Sequence, residues 1–373
     1  MTQLDNNQLA FFELLRAGLW EKNARLSQYK DIDYSAIIRL AEEQSVVGLV
    51  AAGLEHVFDV NIPQQWALQF AGQAIRLEQR NKAMNAFIAD LIEKLRKEDI
   101  YAILVKGQGI AQCYEKPLWR ACGDVDLLLS ESNYEKAKAF LLPFAASVEE
   151  EDKRRKHLGL VMEGWVVELH GTLRCCLFKR MDSVIDVVQS DVFYYGNVRS
   201  WQNGNIQVFL PSADNDVIFV FTHILQHFFV EGIGLRQISD WCRLLWTYKD
   251  SLNQKVLEKR INKSGLMSEW GVFASFAVSY LGFPKEVMPL YKVDKKWGKK
   301  AQTVAKNILK TGSFGNNKDR SYIIKSPYLV RKIKSLWGHF ADAYDCFSIF
   351  PKDTLTAWKN TMKYSFIRLV KGI

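Results

Sequence analysis

The run Gly123-Asp124-Val125-Asp126-Leu127-Leu128-Leu129 constrains this chain most, because it sets two carboxylates two residues apart at the head of an apolar segment. Side chains alternate faces along a strand, so Asp124 and Asp126 share one face while Val125, Leu127 and Leu129 turn to the other. Neighbouring carboxylates repel and raise each other's pKa, a cost that a divalent cation removes. The pair reads as a metal site or, on this pattern alone, as a strand that begins in a solvated turn and carries two acids.

The segment upstream favours the first reading. Tyr101 to Val105 has the apolar character of a short buried strand, and it stops at Lys106-Gly107-Gln108-Gly109, after which Ile110 to Tyr114 can begin a helix. A strand, a glycine turn and a helix start make a phosphate cradle: backbone N–H groups face the anion, and Lys106 adds a full charge. The glycines match neither a Walker A sequence nor GxGxxG. Arg120, three residues before Gly123, is a second cation for the same phosphates.

Together, Leu104-Val105-Lys106-Gly107, Tyr114, Arg120 and Gly123 to Leu128 resemble the signature of the uncharacterised nucleotidyltransferase family, within the DNA polymerase β-like superfamily. That resemblance implies a small mixed sheet, a nucleoside triphosphate held by Lys106, Gly107, Gln108, Gly109, Arg120 and Gly123, and two Mg²⁺ (or Mn²⁺) ions on Asp124 and Asp126. It also implies a third carboxylate on a later strand.

A third acid is found independently. Lys156 to Met162 and Trp165 to His170 are apolar-rich segments separated by Glu163-Gly164, which reads as a hairpin. Glu168 and His170 share a face of the second segment, and burying either without a partner is costly. Glu168 is the expected third metal ligand or general base. His170 is either catalytic or a satisfied structural histidine.

The remaining chain reads as helices on either side of this sheet. Residues 1–97 form an N-terminal helical region, with apolar spacing over Leu9 to Leu19, Tyr34 to Leu54 and Trp66 to Lys97, and with Asp31-Ile32-Asp33 as a helix cap. Residues 98–210 form the catalytic domain. Its expected strands lie near 101–105, 125–129, 156–162, 165–170 and 206–210, in one mixed sheet with helices on one face and a helix over Asn133 to Leu142. Residues 211–310 are a helical domain lining the cleft, and 311–373 a basic, aromatic-rich helical tail. The expected class is α+β.

Within the helical domain, His223 and His227 stand four apart on one helix face, a spacing that binds zinc when an acid such as Glu231 or Asp240 is near. The block Glu231 to Trp241 also resembles the family, so His223, Arg236 and Asp240 are candidate cleft residues alongside His170. An Arg236–Asp240 pair within the helix is the plainer alternative.

Charge is unevenly spread. From Lys285 onward there are 19 Lys+Arg against 6 Asp+Glu, although the whole chain carries only +9. This tail, with Tyr328, Trp337, Phe340, Tyr344, Phe347, Phe350, Trp358, Tyr364 and Phe366, suits an acidic partner or an anionic membrane surface, or is simply a basic helix with a buried aromatic face. Gly312 to Asn317 reads as a linker. No motif supports nucleic-acid recognition. Six cysteines show no zinc or disulfide spacing and read as reduced. Without an apolar leader or a long apolar helix, the expected location is cytoplasmic, with the inner membrane face as a peripheral option.

The expected function is metal-dependent transfer of a nucleoside monophosphate from a triphosphate to an acceptor hydroxyl on a sugar or small molecule. The resemblance suggests surface-polysaccharide assembly. Alternatives are nucleotide transfer onto a protein side chain and a non-catalytic nucleotide-binding module.

Overall fold

Strand alternation organises the molecule around one five-stranded sheet. In the computed structural model, which describes residues 4–176, 178–230, 232–313 and 346–370 (the last seven by backbone only), β1 (Ala102–Val105), β2 (Asp124–Leu129), β3 (Ser147–Val148), β4 (His157–Met162) and β5 (Trp165–His170) take the order β1-β2-β5-β4-β3. β2 runs parallel to β5, and the other neighbours are antiparallel. The sheet is mixed, and the class is α+β.

One face of the sheet is apolar throughout. Ala102, Leu104, Val125, Leu127, Leu129, Leu158, Leu160, Val167 and Leu169 pack with the second half of α4 (Gln64–Lys97) and with α6 (Glu131–Leu141). The opposite face carries Asp124, Asp126, Glu168 and His170 at the strand positions between them. Its apolar part, Ile103, Val105 and Leu128, packs on Ile185 and Val192 of α7 (Lys179–Phe193) and on Phe219 of α8 (Ala213–Val230). Helices thus lie on both faces, not one.

Two further expectations change. Ile206–Pro211 forms a strand, but it pairs with Val198–Asn203 in a separate two-stranded sheet. Tyr34 to Leu54 is two helices, α2 (Tyr34–Glu43) and α3 (Val47–Leu54), because Ser45 takes φ 56° between them. The cap at Asp33 forms as expected, its carboxylate accepting from the Ser35 and Ala36 amides.

Helices before and after the sheet share one core. Phe11, Phe12, Leu14 and Leu15 of α1 (Asn6–Trp20) belong to the same buried cluster as Phe221 of α8, Trp241 of α9 (Leu235–Thr247), and Trp270 and Phe273 of α11 (Met267–Tyr280). α1 and α3 cross so closely that a Cβ on Gly18 would lie 1.9 Å from the Leu49 carbonyl oxygen. Larger residues there would push the helices apart.

Of the basic tail, α12 (Lys295–Thr311) and a terminal helix (Pro351–Val370) are described. Phe350 is buried and Phe347 is 43% exposed. Phe314 to Asn317 of the expected linker, and Tyr328, Trp337, Phe340 and Tyr344, lie outside the described residues. Among the described residues, no helix is long and apolar enough to cross a membrane.

An ion network ties the terminal helix to the core. Arg180 Nη2 donates to Glu269 at 2.6 Å and to Asp353 at 2.5 Å. Burial, and then the hydrogen bond with Asp353, push Glu269 up to about 7 against the pull of Arg180. An acid whose pKa rises on folding costs stability as pH climbs from its ordinary value to its folded one. Glu269→Gln should therefore lose less stability than the wild type between about pH 4.5 and 7. Urea midpoints across that range check this; parallel curves would count against it.

Candidate active site

β2 is a central strand, so Asp126 is flanked by Val105 of β1 and Glu168 of β5 as direct register partners. Asp126 is only 2% exposed, and two side-chain nitrogens reach the same oxygen. Lys106 Nζ lies 2.7 Å and His170 Nε2 2.8 Å from Asp126 Oδ1. Glu168 Oε2 is 3.4 Å from His170 Nε2 and 3.2 Å from His157 Nε2. Asp124, one turn of the pleat away, stands at the mouth of the strand.

The electrostatics follow from this crowding. The charge of Asp126, and then burial, raise the pKa of Asp124. Burial would lower Lys106, but Asp126, Asp124 and Glu168 outweigh it and raise its pKa, holding the ammonium charged. Burial works against ionisation of Glu168, yet hydrogen bonds from His157 and His170 hold it well below the usual carboxylate range. His170 moves upward: its hydrogen bonds with Asp126 and Glu168 outweigh its burial.

Lys106 owes its direction to backbone strain. It takes φ 58° and ψ −144°, a region that side chains with a Cβ avoid at a cost of about 1–3 kcal/mol, and Gly107 follows at φ 42°. The expected strand and glycine turn are present, but the short helix (α5, Gly107–Ala111) begins at the glycines themselves, three residues before the expected start at Ile110.

The glycine turn divides its side chains between two tasks. Lys106 and Gly107 line the cleft. Gln108 turns away and donates to Asn81 Oδ1 of α4 at 2.8 Å, while Asn81 Nδ2 donates to the Leu118 and Arg120 carbonyls at 2.7 and 2.8 Å. Gly109 packs against Leu210. Gly123, like Gln108 and Gly109, lies outside the cavity lining.

α8 and α9 close the cleft from the other side. Lys106 Nζ lies 3.4 Å from His223 Nε2, which is 3.1 Å from His227 Nε2. Burial, then the positive charge of Lys106, push the His223 pKa well below its ordinary value. Arg120 is turned to Asp240, not outward: its Nε and Nη2 donate to that carboxylate at 3.0 and 2.6 Å, and Tyr114 Oη adds a third bond at 2.8 Å. Asp240 thus pairs across the fold with Arg120, and its charge also acts on Arg236 of its own helix. Arg236 Nη1 donates to the Ala121 carbonyl at 3.2 Å.

These residues enclose a cavity of about 350 Å³. It brings together Lys106, Gly107, Arg120, Asp124, Asp126, Glu168, His170, His223, Arg236 and Asp240 from the sequence-derived set. It also contains His227, named above as the partner of His223 on one helix face, together with His157, Arg155 and Arg174. His157 had a legible signal: the two-residue turn at Glu163-Gly164 pairs Met162 with Trp165, which sets His157 opposite His170. Arg174 had none, being brought in by the loop after β5. Glu231, named as an acid for a zinc site with His223 and His227, lies outside the described residues.

The family described as uncharacterised nucleotidyltransferase matches residues 30–282, which take in the N-terminal helices from α2, the whole sheet, and α8, α9, α10 (Gln254–Ser264) and α11. The chain belongs to that family. No curated protein matches it, and no solved structure does. Membership places the chain among the nucleotidyltransferases, transferases whose donor is a nucleoside triphosphate. The matched span includes every residue of the cavity lining described above.

The donors that line this cavity also suit a divalent cation. Three carboxylates, Asp124, Asp126 and Glu168, border one cavity, Asp126 and Glu168 raise the pKa of Asp124, and Lys106 is a counter-charge. Oxygen-rich donor sets of this kind fit Mg²⁺ and Mn²⁺.

Proposed function

We propose that the chain transfers a nucleoside monophosphate from a triphosphate to an acceptor hydroxyl, with Asp124, Asp126 and Glu168 as the metal-holding acids. The observation that carries this is the meeting of three carboxylates and Lys106 on one sheet face, at one cavity, in a chain of this family. Bound Mg²⁺ or Mn²⁺ would supply a lowered pKa at the acceptor hydroxyl and charge neutralisation at the triphosphate and leaving pyrophosphate.

The chain's own groups do the rest. Lys106 faces the carboxylates from the glycine turn and is placed to pair with phosphate oxygens once Asp126 turns to an ion. The Gly107 backbone borders the same space. Glu168, the register partner of Asp126, would complete the metal site on the acceptor side or take the acceptor proton. Arg120 and Asp240 brace the wall, and Arg236, His223 and His170 orient what lies between. Alignment and fixed charge would then provide most of the rate.

A cavity of about 350 Å³ falls within the range of small-molecule sites, about 300–1,000 Å³, as a site for a nucleotide donor requires. Surface-polysaccharide assembly is the context that the family resemblance suggests. Incubation of the protein with α-labelled triphosphates and a cell extract tests the reading. Label appearing in a metabolite fraction supports it. A discrete labelled protein band would instead make the acceptor a protein side chain, and no transfer from any triphosphate would leave a nucleotide-binding module.

A further inference from the structure

The hairpin of β4 and β5 carries a donor set that the acid-only site leaves unused. His157 Nε2 and His170 Nε2 lie 3.2 and 3.4 Å from the same oxygen, Glu168 Oε2. One ligand atom from each of the three residues falls within 4.8 Å of the others. Ligands about 2.0–2.2 Å from a tetrahedral ion stand about 3.3–3.6 Å apart. The two edges that meet at Glu168 already have nearly that length.

The arrangement is built by the strands and does not depend on flexible loops. His157 and His170 are direct register partners, and Glu168, opposite Gly159, is the diagonal neighbour of His157. Gly159 puts no side chain of its own on that face, and the Glu149 side chain lies over it, its Oε2 2.6 Å from where a Cβ would stand. All three side chains are partly buried, at 28%, 28% and 14% exposure for His157, Glu168 and His170, and all three line the cavity through which an ion would enter.

We infer that His157, Glu168 and His170 form a seat for one transition-metal dication, Mn²⁺, Co²⁺ or Zn²⁺, in preference to Mg²⁺. Imidazole nitrogen suits these ions, whereas Mg²⁺ demands oxygen donors in near-octahedral array and gives up its waters reluctantly. An ion on His170 Nε2 displaces the hydrogen bond to Asp126, whose carboxylate then faces both the ion and Lys106. The inference names the ion for the transfer centre proposed above and takes its functional meaning from that reading, but the seat itself stands on the three side chains.

Untagged full-length protein, stripped with chelator and titrated with Co²⁺ in the absence of nucleotide, tests it. The expected result is one equivalent of Co²⁺ with a visible absorption band, displaced by Zn²⁺ or Mn²⁺ and not by a tenfold excess of Mg²⁺. Loss of an outer-shell partner alone weakens metal sites about 10–100-fold, so His157→Ala should weaken Co²⁺ by at least about 100-fold. His157→Cys, which restores a donor, should recover most of that loss and so separates ligation from misfolding. Co²⁺ that fails to bind, binds equally well to His157→Ala, or yields to equimolar Mg²⁺ overturns the inference. If Mg²⁺-dependent triphosphate binding persists in that case, the transfer reading survives. If instead Co²⁺ binds through His157 while no triphosphate binds with any metal, the seat stands and the transfer reading falls.

Discussion

Asp126→Asn is expected to lower nucleotidyl transfer by at least about a thousandfold, because a metal-held charge at the reacting phosphate provides several kcal/mol of transition-state stabilisation. The substitution is nearly isosteric. The asparagine Oδ1 can still accept from Lys106 and His170, now at 2.7 and 2.8 Å from the aspartate, so the change falls on charge and not on packing. Lys106 keeps Asp124 and Glu168 nearby as counter-charges. Circular dichroism should therefore match the wild type while the transfer rate with labelled triphosphate collapses. Wild-type turnover in the variant would remove Asp126 from the chemistry.

The largest effect on stability is expected from Arg120→Met. Arg120 and Asp240 are only 6% and 5% exposed at the side chain, joined by two hydrogen bonds, and Tyr114 completes the cluster. Removing one partner of such a pair strands the other charge in the interior, at a cost of about 3–5 kcal/mol. Arg120→Met should lower the urea midpoint accordingly, at an unchanged denaturant slope. Arg120→Met/Asp240→Leu, which removes both charges, should regain most of the loss. If Arg120 also grips phosphates, the double variant recovers stability without recovering triphosphate affinity. A loss below about 1 kcal/mol would mean that the pair behaves like a solvated surface bridge, and would contradict its burial.

The sheet and its chemistry were legible in the chain because period-two alternation is a local signal. Asp124, Asp126, Glu168 and His170 fall on one face by counting alone, and the Glu163-Gly164 turn fixed the register of the hairpin. His157 was within reach of the same counting. It lies opposite His170 once Met162 pairs with Trp165, but a single histidine next to a charged loop gives no other sign of function. What counting cannot supply is the pairing of residues far apart in sequence. Arg120 and Asp240 are 120 positions apart and meet only because α9 packs over the glycine turn. Gln108, in the middle of a turn that resembles a phosphate cradle, was similarly captured by Asn81 of α4. The pairing of Ile206–Pro211 was missed because its partner, Val198–Asn203, is a polar strand with little apolar alternation.

The account turns on whether the carboxylate face is a working triphosphate site. The measurement that tests this most directly is calorimetric titration of each of the four nucleoside triphosphates into the purified protein, with and without Mg²⁺ or Mn²⁺, beside Asp124→Asn/Asp126→Asn. The account predicts metal-dependent binding of at least one triphosphate, lost in the double variant. Binding that is independent of metal, equal in the double variant, or absent for all four would contradict it.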